Sequence, residues 1–179
     1  MPTYVAFLRA INLGANRKFA KADIAAATEA AGGTDVATYI NTGNVRLTTR
    51  MRSATRVRAA LEAAYLERAG FEVPTIVFTT DELAAIGADA EELNRSDLER
   101  HYVYLMRDEP EPERLEAFAA RAVEGGEIVV RGRAAHVLLG PGYQAGNVDP
   151  GKVEKSLGVV ATNRNFNVVT TLARQWCSR

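Results

Sequence analysis

Cysteine is nearly missing from this sequence, Cys177 being the only one. A lone thiol closes no internal disulfide, which excludes a cross-linked secreted scaffold, and no Cys/His spacing resembles a zinc site. Histidine is almost as scarce, with only His101 and His136. Neither has a Ser or Cys nucleophile or a carboxylate partner nearby in sequence, so both read as packed or hydrogen-bonded residues. Net charge is absent as well: 22 basic and 22 acidic residues cancel, and no global field draws in nucleic acid or anionic membrane. No apolar run approaches the roughly 20 residues that span a bilayer. The start of the chain lacks the charged region and cleavage site of a secretory signal. These absences place the protein in the cytoplasm, with no metal, no cofactor and no membrane partner expected.

What is present is an ordinary globular composition, 47% apolar and 25% charged over 179 residues. A chain of this length buries roughly 70% of its extended surface and needs no staple. Tyr4 to Leu8 reads as a strand apolar on both faces. Ile24, Ala27, Thr28 and Ala31 recur at helical spacing before Gly32-Gly33. Val36 to Ile40 and Asn44 to Thr48 flank the turn Asn41-Thr42-Gly43-Asn44 and predict a hairpin. A second helix carries Val57, Ala60, Leu61, Ala64 and Tyr65 and stops at Gly70. Val73 to Phe78 is a strand, with Pro74 pointing to an edge or a strand start. The order β-α-β-β-α-β is the ferredoxin-like, split βαβ pattern.

A short helix capped by Thr80 follows. The polar stretch 89–99 reads as a linker between an N-terminal half, 1–88, and a C-terminal half, 100–179. Tyr102 to Met106 opens the second half. Pro112 starts a helix with Leu115, Phe118, Ala119, Ala122 and Val123 inward. Glu127 to Val130 and Ala135 to Leu139 form a second hairpin, and a weaker helix spans Gly151 to Leu157. The last helix carries Val169, Leu172, Ala173 and Trp176 and is expected to be capped by Thr162 or Asn163. The fold class predicted is therefore α+β, with two ferredoxin-like halves (βαββαβ and βαββα) related by duplication. Since Tyr4 to Leu8 and Tyr102 to Met106 are apolar on both faces, neither sheet offers the open aromatic face of an RNA-recognition domain.

Three polar segments stand out. The first, Arg9 to Lys18, joins the first strand to the first helix and holds Arg9, Asn12, Gly14 and Arg17. Its backbone N–H groups can form an anion-binding nest, with arginine supplying a bidentate fork. The second is the hairpin with Asn41 and Asn44, and the third is Thr162, Arg164, Asn165 and Asn167 ahead of the last apolar stripe. There a helix N-terminus beside Arg164 suits a phosphate or carboxylate. Each segment also has an ordinary structural explanation in turns, caps and solvated charge. The charged run from Asp108 to Glu116 reads as a solvated helix start. The glycine-rich Gly140 to Gly146 lacks the spacing of a P-loop or dinucleotide fingerprint.

These segments also carry a resemblance. The stretches Arg9-Ala10-Ile11-Asn12-Leu13-Gly14, Tyr39-Ile40-Asn41-Thr42-Gly43-Asn44-Val45 and Thr162-Asn163-Arg164-Asn165-Phe166-Asn167-Val168 resemble the bacterial domain of unknown function 1697 family. That family's pattern is Arg-Gly-Ile-Asn-Val-Gly, Tyr-Ile-Gln-Ser-Gly-Asn-Val and Thr-x-Arg-Asn-Trp-Asn-Thr. The resemblance implies a two-part α+β, ferredoxin-like fold and no activity. Departures are Ala10 for Gly, Asn41-Thr42 for Gln-Ser, Phe166 for Trp and Val168 for Thr.

The functional expectation is a binding module for a small anionic, phosphate-bearing ligand in a cleft between the halves. Its candidate residues are Arg9, Asn12, Gly14, Arg17, Asn41, Asn44, Thr162, Arg164, Asn165 and Asn167. No catalytic residue is assigned, and whether the protein is an enzyme is left open. One alternative is an acyl-phosphate or phosphoryl hydrolase, because a loop ending in Arg17 and an asparagine at Asn41 resemble the acylphosphatase site. Another is a nucleic-acid or protein interaction module using Arg46, Arg50, Arg52, Arg56 and Arg58.

Overall fold

The computed structural model describes residues 1–14, 16–120, 125–143 and 150–177. By internal contacts the chain divides into two compact units, Met1–Leu83 and Ala84–Arg179. The first unit contains β1 (Thr3–Leu8), α1 (Lys21–Ala30), β2 (Thr34–Tyr39), β3 (Asn44–Thr48), α2 (Ala54–Ala69) and β4 (Thr75–Thr79). Helix α3 (Thr80–Leu93) carries the chain into the second, so the polar stretch 89–99 begins inside a helix. There follow β5 (Arg100–Met106), α4 (Pro112–Ala119), β6 (Gly126–Arg131), β7 (Ala134–Leu139), α5 (Pro150–Leu157), β8 (Ala161–Asn165) and α6 (Phe166–Trp176). Ala122, Val123 and residues 144–146, all named above, lie outside the described residues.

Two antiparallel sheets result, ordered β2-β3-β1-β4 and β6-β7-β5-β8. Both are the ferredoxin-like arrangement, so the expected α+β architecture with two such halves holds. The second half has one strand more than the sequence predicts, because Ala161–Asn165 pairs with β5. The halves also repeat their tethers. Leu8 N–H donates to Gly43 O at 2.8 Å and Met106 N–H to Arg133 O at 2.9 Å, fastening each leading strand to its hairpin. Arg9 N–H reaches Pro74 O at 2.9 Å, and Arg107 N–H reaches Val160 O at 2.8 Å. The first residue of each last strand donates to a glutamate of the helix before it: Thr75 to Glu62 at 2.8 Å, Ala161 to Glu154 at 2.7 Å.

In the first unit Tyr4, Ala6 and Leu8 alternate inward with Val45, Leu47 and Val77, and α1 and α2 cover them with Ile24, Ala27, Val57, Leu61 and Tyr65. Each large apolar side chain so buried contributes roughly 1.5–3 kcal/mol. Tyr65 is fully buried and satisfies its hydroxyl by donating to Thr28 Oγ1 at 2.8 Å, while Thr28 donates to Ile24 O at 2.7 Å. Val5 and Phe7, on the other face of β1, are buried too. Pro74 directly precedes β4, the edge strand it was expected to start.

Caps explain the helix boundaries. Ser53 accepts from Arg56 N–H, and Gly70 closes α2 in the left-handed region at φ 76°. The start of α3 corrects the sequence expectation: its cap is Thr79, not Thr80. Thr79 Oγ1 accepts from Glu82 N–H at 3.2 Å, and Glu82 returns a carboxylate oxygen to Thr79 N–H at 2.8 Å. That reciprocal pair is a capping box. The cap of α6 is Asn165, whose Oδ1 accepts from Val168 N–H at 2.9 Å. Thr162 and Asn163 are strand residues and cannot serve there.

Candidate functional site

The sequence candidates of the first unit form one joint. Asn12 Nδ2 donates to Asn41 O at 2.8 Å, so the loop after β1 touches the β2–β3 turn. The same asparagine accepts Phe19 N–H at 2.9 Å through Oδ1. Arg17 donates Nε to Ala10 O and Nη2 to Glu72 O, both at 2.7 Å, and its guanidinium lies 4.7 Å over the Phe71 ring. Asn44 is buried and donates Nδ2 to Tyr39 O at 2.9 Å and Thr42 Oγ1 at 3.0 Å. Arg9 anchors through its backbone, as above, and Gly14 takes a φ of 70°. Gly43 lets the turn press on the strand, since a Cβ there would stand 2.6 Å from Leu8 Cβ and 2.8 Å from Ile11 Cδ1. Three non-glycine residues at the joint, Ala10, Asn12 and Ile40, also have positive φ. Left-handed backbone of this kind costs roughly 1–2 kcal/mol per L-residue. Here Asn12, Arg17 and Asn44 donate to the protein's own backbone, which organises the joint.

The second unit shows a different arrangement on the sheet face opposite α4 and α5. Pairing of β5 with β7 sets His101 against Leu138 and Val103 against His136, and pairing with β8 sets Val103 against Arg164. His101, Val103, Leu105, His136, Leu138, Thr162 and Arg164 therefore share one face. Helix α6 packs on β5 and β8, and α3 reaches the sheet through Asp89 and Glu92, which grip Arg131 at 2.6 and 2.9 Å. The two arginine-bound carboxylates link α3 to the edge strand β6.

Arg164 is buried, donates Nη1 to Thr162 Oγ1 at 2.9 Å and to Asn163 O at 2.7 Å, and burial pushes its pKa down to about 10. Those bonds, together with its strand position, explain why the polar run Ala161–Asn165 holds in the sheet.

Where β5 begins and α6 begins, a cleft of about 360 Å³ opens, lined by Asn94, Leu98, Glu99, Arg100, His101, Asn165, Phe166 and Asn167. Two sequence candidates, Asn165 and Asn167, are in its wall, and Thr162 and Arg164 lie in the strand just before. His101, set aside on sequence grounds, is in the wall as well. Its ring stacks on Phe166 with centroids 5.5 Å apart and planes 23° apart. Its Nδ1 is 3.3 Å from Asn94 Oδ1, and its Nε2 is 3.1 Å from His136 Nδ1. The chain's two histidines are thus bonded to each other. Burial pushes both down to about 4, at His136 against the pull of the Asp89 carboxylate, so both are neutral at pH 7. Among the described residues, no group of three or more His, Cys, Asp or Glu side chains could hold a metal ion. No described helix is long and apolar enough to cross a membrane.

The five-arginine run of the first unit separates in three dimensions. Arg46 lies on β3 opposite Val5, on the sheet face away from α1 and α2. Arg50, Arg52 and Arg56 are exposed at the start of α2, whose first turn holds no acid.

No curated protein matches the chain in sequence. The structure of the conserved bacterial protein SP0830 from Streptococcus pneumoniae superimposes with a TM-score of 0.75, covering 98% of this chain and 99% of that chain at 18% identity. At that identity the likeness shows a shared fold. A family model described as protein of unknown function, DUF1697, matches residues 1–136. That span holds the two first-unit motifs and stops short of β8 and α6. Taken with the joint built from Arg9 to Arg17 and the 39–45 turn, this match shows that the chain belongs to the DUF1697 family.

Proposed function

We propose that the protein binds a small anionic ligand carrying a phosphate or carboxylate, in the cleft at the start of α6. One observation carries this reading: the cleft gathers the first turn of an 11-residue helix, three exposed asparagines and an aromatic ring in one hollow. The first N–H groups of a helix have no carbonyl partner within it, and the dipole there favours negative charge. Asn165 takes one donor, that of Val168. Pairing of Tyr102 with Asn165 turns the Phe166 N–H onto the His101 carbonyl, so in this turn the N–H of Asn167 remains for a ligand. The volume falls in the range of small-molecule pockets, roughly 300–1,000 Å³.

Thermal unfolding in millimolar inorganic phosphate and a nucleoside monophosphate tests the proposal, because a ligand at 100 times its Kd adds about 2.7 kcal/mol of apparent stability. The discriminating variant is Asn167→Asp. A carboxylate in the first turn favours the helix itself, so the unliganded variant keeps its Tm while repelling an anion. Loss of the ligand-induced shift in this variant supports the reading. Absence of any shift in the unmodified protein overturns it.

A second reading, docking of a polyanion at Arg50, Arg52 and Arg56, is favoured by a contrast in pairing. Arg68, Arg95, Arg131 and Arg174 all hold carboxylates, whereas these three make no ion pair among the described residues. Three phosphate contacts give a slope of about −3 in log K against log salt on duplex DNA. A flat salt dependence would remove this reading.

A further inference from the structure

We propose that His101 is the side-chain donor that receives the anion in this cleft, through Nδ1–H, and that His136 is the positioning residue that fixes the proton on that atom. This rests on reading the cleft as an anion site, and it adds which group makes the contact and what holds it ready.

Asn94 Oδ1 only accepts, so the nitrogen facing it, His101 Nδ1, carries the proton. A neutral imidazole has one proton, so His101 Nε2 is left as an acceptor. The atom facing Nε2 is His136 Nδ1, which must then donate. The two rings have centroids 5.3 Å apart against a nitrogen separation of 3.1 Å. This is the head-on geometry of a hydrogen bond, not the splayed geometry of two ligands sharing a metal. A relay therefore runs from buried His136, through His101, to Asn94 at the cleft. The buried end agrees with this polarity: His136 Nε2 has no partner among the described residues, so its proton sits on Nδ1, facing His101.

Asn94 is the replaceable member. It is exposed, sits just past the end of α3, and its contact with His101 is the longest in the relay at 3.3 Å. An oxyanion in the cleft takes its place and receives a charge-assisted bond, roughly twice as strong as a neutral one. Phe166, stacked on the ring, keeps the imidazole from swinging. The far nitrogen, His136 Nε2, is buried and has no hydrogen-bond partner among the described residues. In this assignment it holds a lone pair, which is less costly to bury without a partner than an N–H would be.

A bound anion beside the pair favours the charged imidazole, so affinity for a non-titrating anion rises as pH falls from 7 towards 5. The charged groups facing the pair are Asp89 on α3, Arg95 after it and Arg131 on β6, with Glu99 and Arg100 at the cleft mouth. Arg164 on β8 shares the sheet face; the cleft residues from the end of β8 and the start of α6 are the uncharged Asn165, Phe166 and Asn167.

With two histidines in the chain, imidazole nitrogen NMR on the full-length protein, titrated with inorganic sulfate, tests the inference. The unliganded protein at pH 7 is expected to show both rings neutral and protonated at Nδ1. Sulfate is expected to shift the His101 Nδ1 signal without moving its proton. In His136→Phe the donor to Nε2 is gone: the His101 proton redistributes between its nitrogens, and sulfate binds about tenfold more weakly, the loss of one bond to a charged group. His136→Asn, whose amide can donate from near the Nδ1 position, restores binding to within about twofold. If His101 in the unmodified protein carries its proton on Nε2, the inference is overturned without reference to any variant. Equal sulfate affinity in a folded His136→Phe, or affinity independent of pH, overturns it too. Absence of any sulfate response at His101, Asn165 and Asn167 in the unmodified protein overturns instead the reading of the cleft as an anion site.

Discussion

Gly87 offers the most quantitative test of the packing in the second unit. It is buried in α3, and a Cβ added there would stand 2.4 Å from Ala173 Cβ on α6, whereas ordinary contact begins at 3.4 Å. The obstacle is a methyl on a helix backbone, so relief requires the helices to part by about 1 Å, and overpacking of this kind costs roughly 1–3 kcal/mol. Alanine returns about 1 kcal/mol of helix propensity over glycine. Gly87→Ala is thus expected to destabilise by about 1 kcal/mol net. Ala173→Gly loses propensity alone and also costs about 1 kcal/mol. The double variant moves the methyl from one helix to the other and should return to within roughly 0.5 kcal/mol of the starting protein, a coupling energy of about 2 kcal/mol. Urea unfolding followed by fluorescence of Trp176, the single tryptophan, reads all four corners. If the two single losses add in the double variant, these helices are not in contact at Gly87 and the reasoning fails.

Other outcomes follow from groups already described. Both histidines have folded pKa values near 4, below the ordinary 6.5, so between those values the unfolded chain binds more protons. Stability is complete above about pH 6.5 and falls as pH drops towards 4. Discounted for water at the cleft wall, the pair accounts for about 3 kcal/mol. Urea titrations at pH 7 and 4.5 should show a smaller loss in His101→Gln/His136→Asn; an equal loss refutes the assignment. Ala10→Gly relieves the left-handed strain at φ 57°, so stability should hold or rise by up to about 1 kcal/mol; a drop of that size in thermal unfolding would count against the joint. Tyr65→Phe leaves Thr28 without its donor and should cost about 1 kcal/mol by chemical denaturation, with no change in sulfate binding.

Much of the fold was legible because the apolar residues keep their period. Strand β1, helices α1 and α2 and the turn at Gly43 follow from alternation, helical spacing and turn chemistry. Strand β8 was not legible, since Ala-Thr-Asn-Arg-Asn has neither apolar alternation nor strong strand propensity. It is a strand because β5 offers an unpaired edge and Arg164 can bury its guanidinium on local oxygens. That strand displaced the expected helix cap by two or three residues, to Asn165. The capping box is written in the sequence as Thr79 and Glu82 at its usual spacing, but the adjacent Thr80 carries the same hydroxyl and makes the boundary ambiguous by one residue. The histidine pair could not be read: 35 residues separate the two, and only the diagonal register of β5 against β7 makes them neighbours. Of the candidate site, Asn165 and Asn167 were found through the helix start. Asn94 and His101 required the tertiary pairing.

Strand β2 has a property that bears on the protein's behaviour at high concentration. It is an edge strand, and its pairing with β3 slips between Thr34 and Ala37, where Asp35 adopts a φ of 49°. A straight border of free amides and carbonyls would invite a strand from another molecule to add on. The bulge bends that border and sets an exposed carboxylate on it, so a newcomer finds neither a continuous ladder nor an uncharged surface. Crowded molecules of this chain are thereby discouraged from growing into extended sheets through β2.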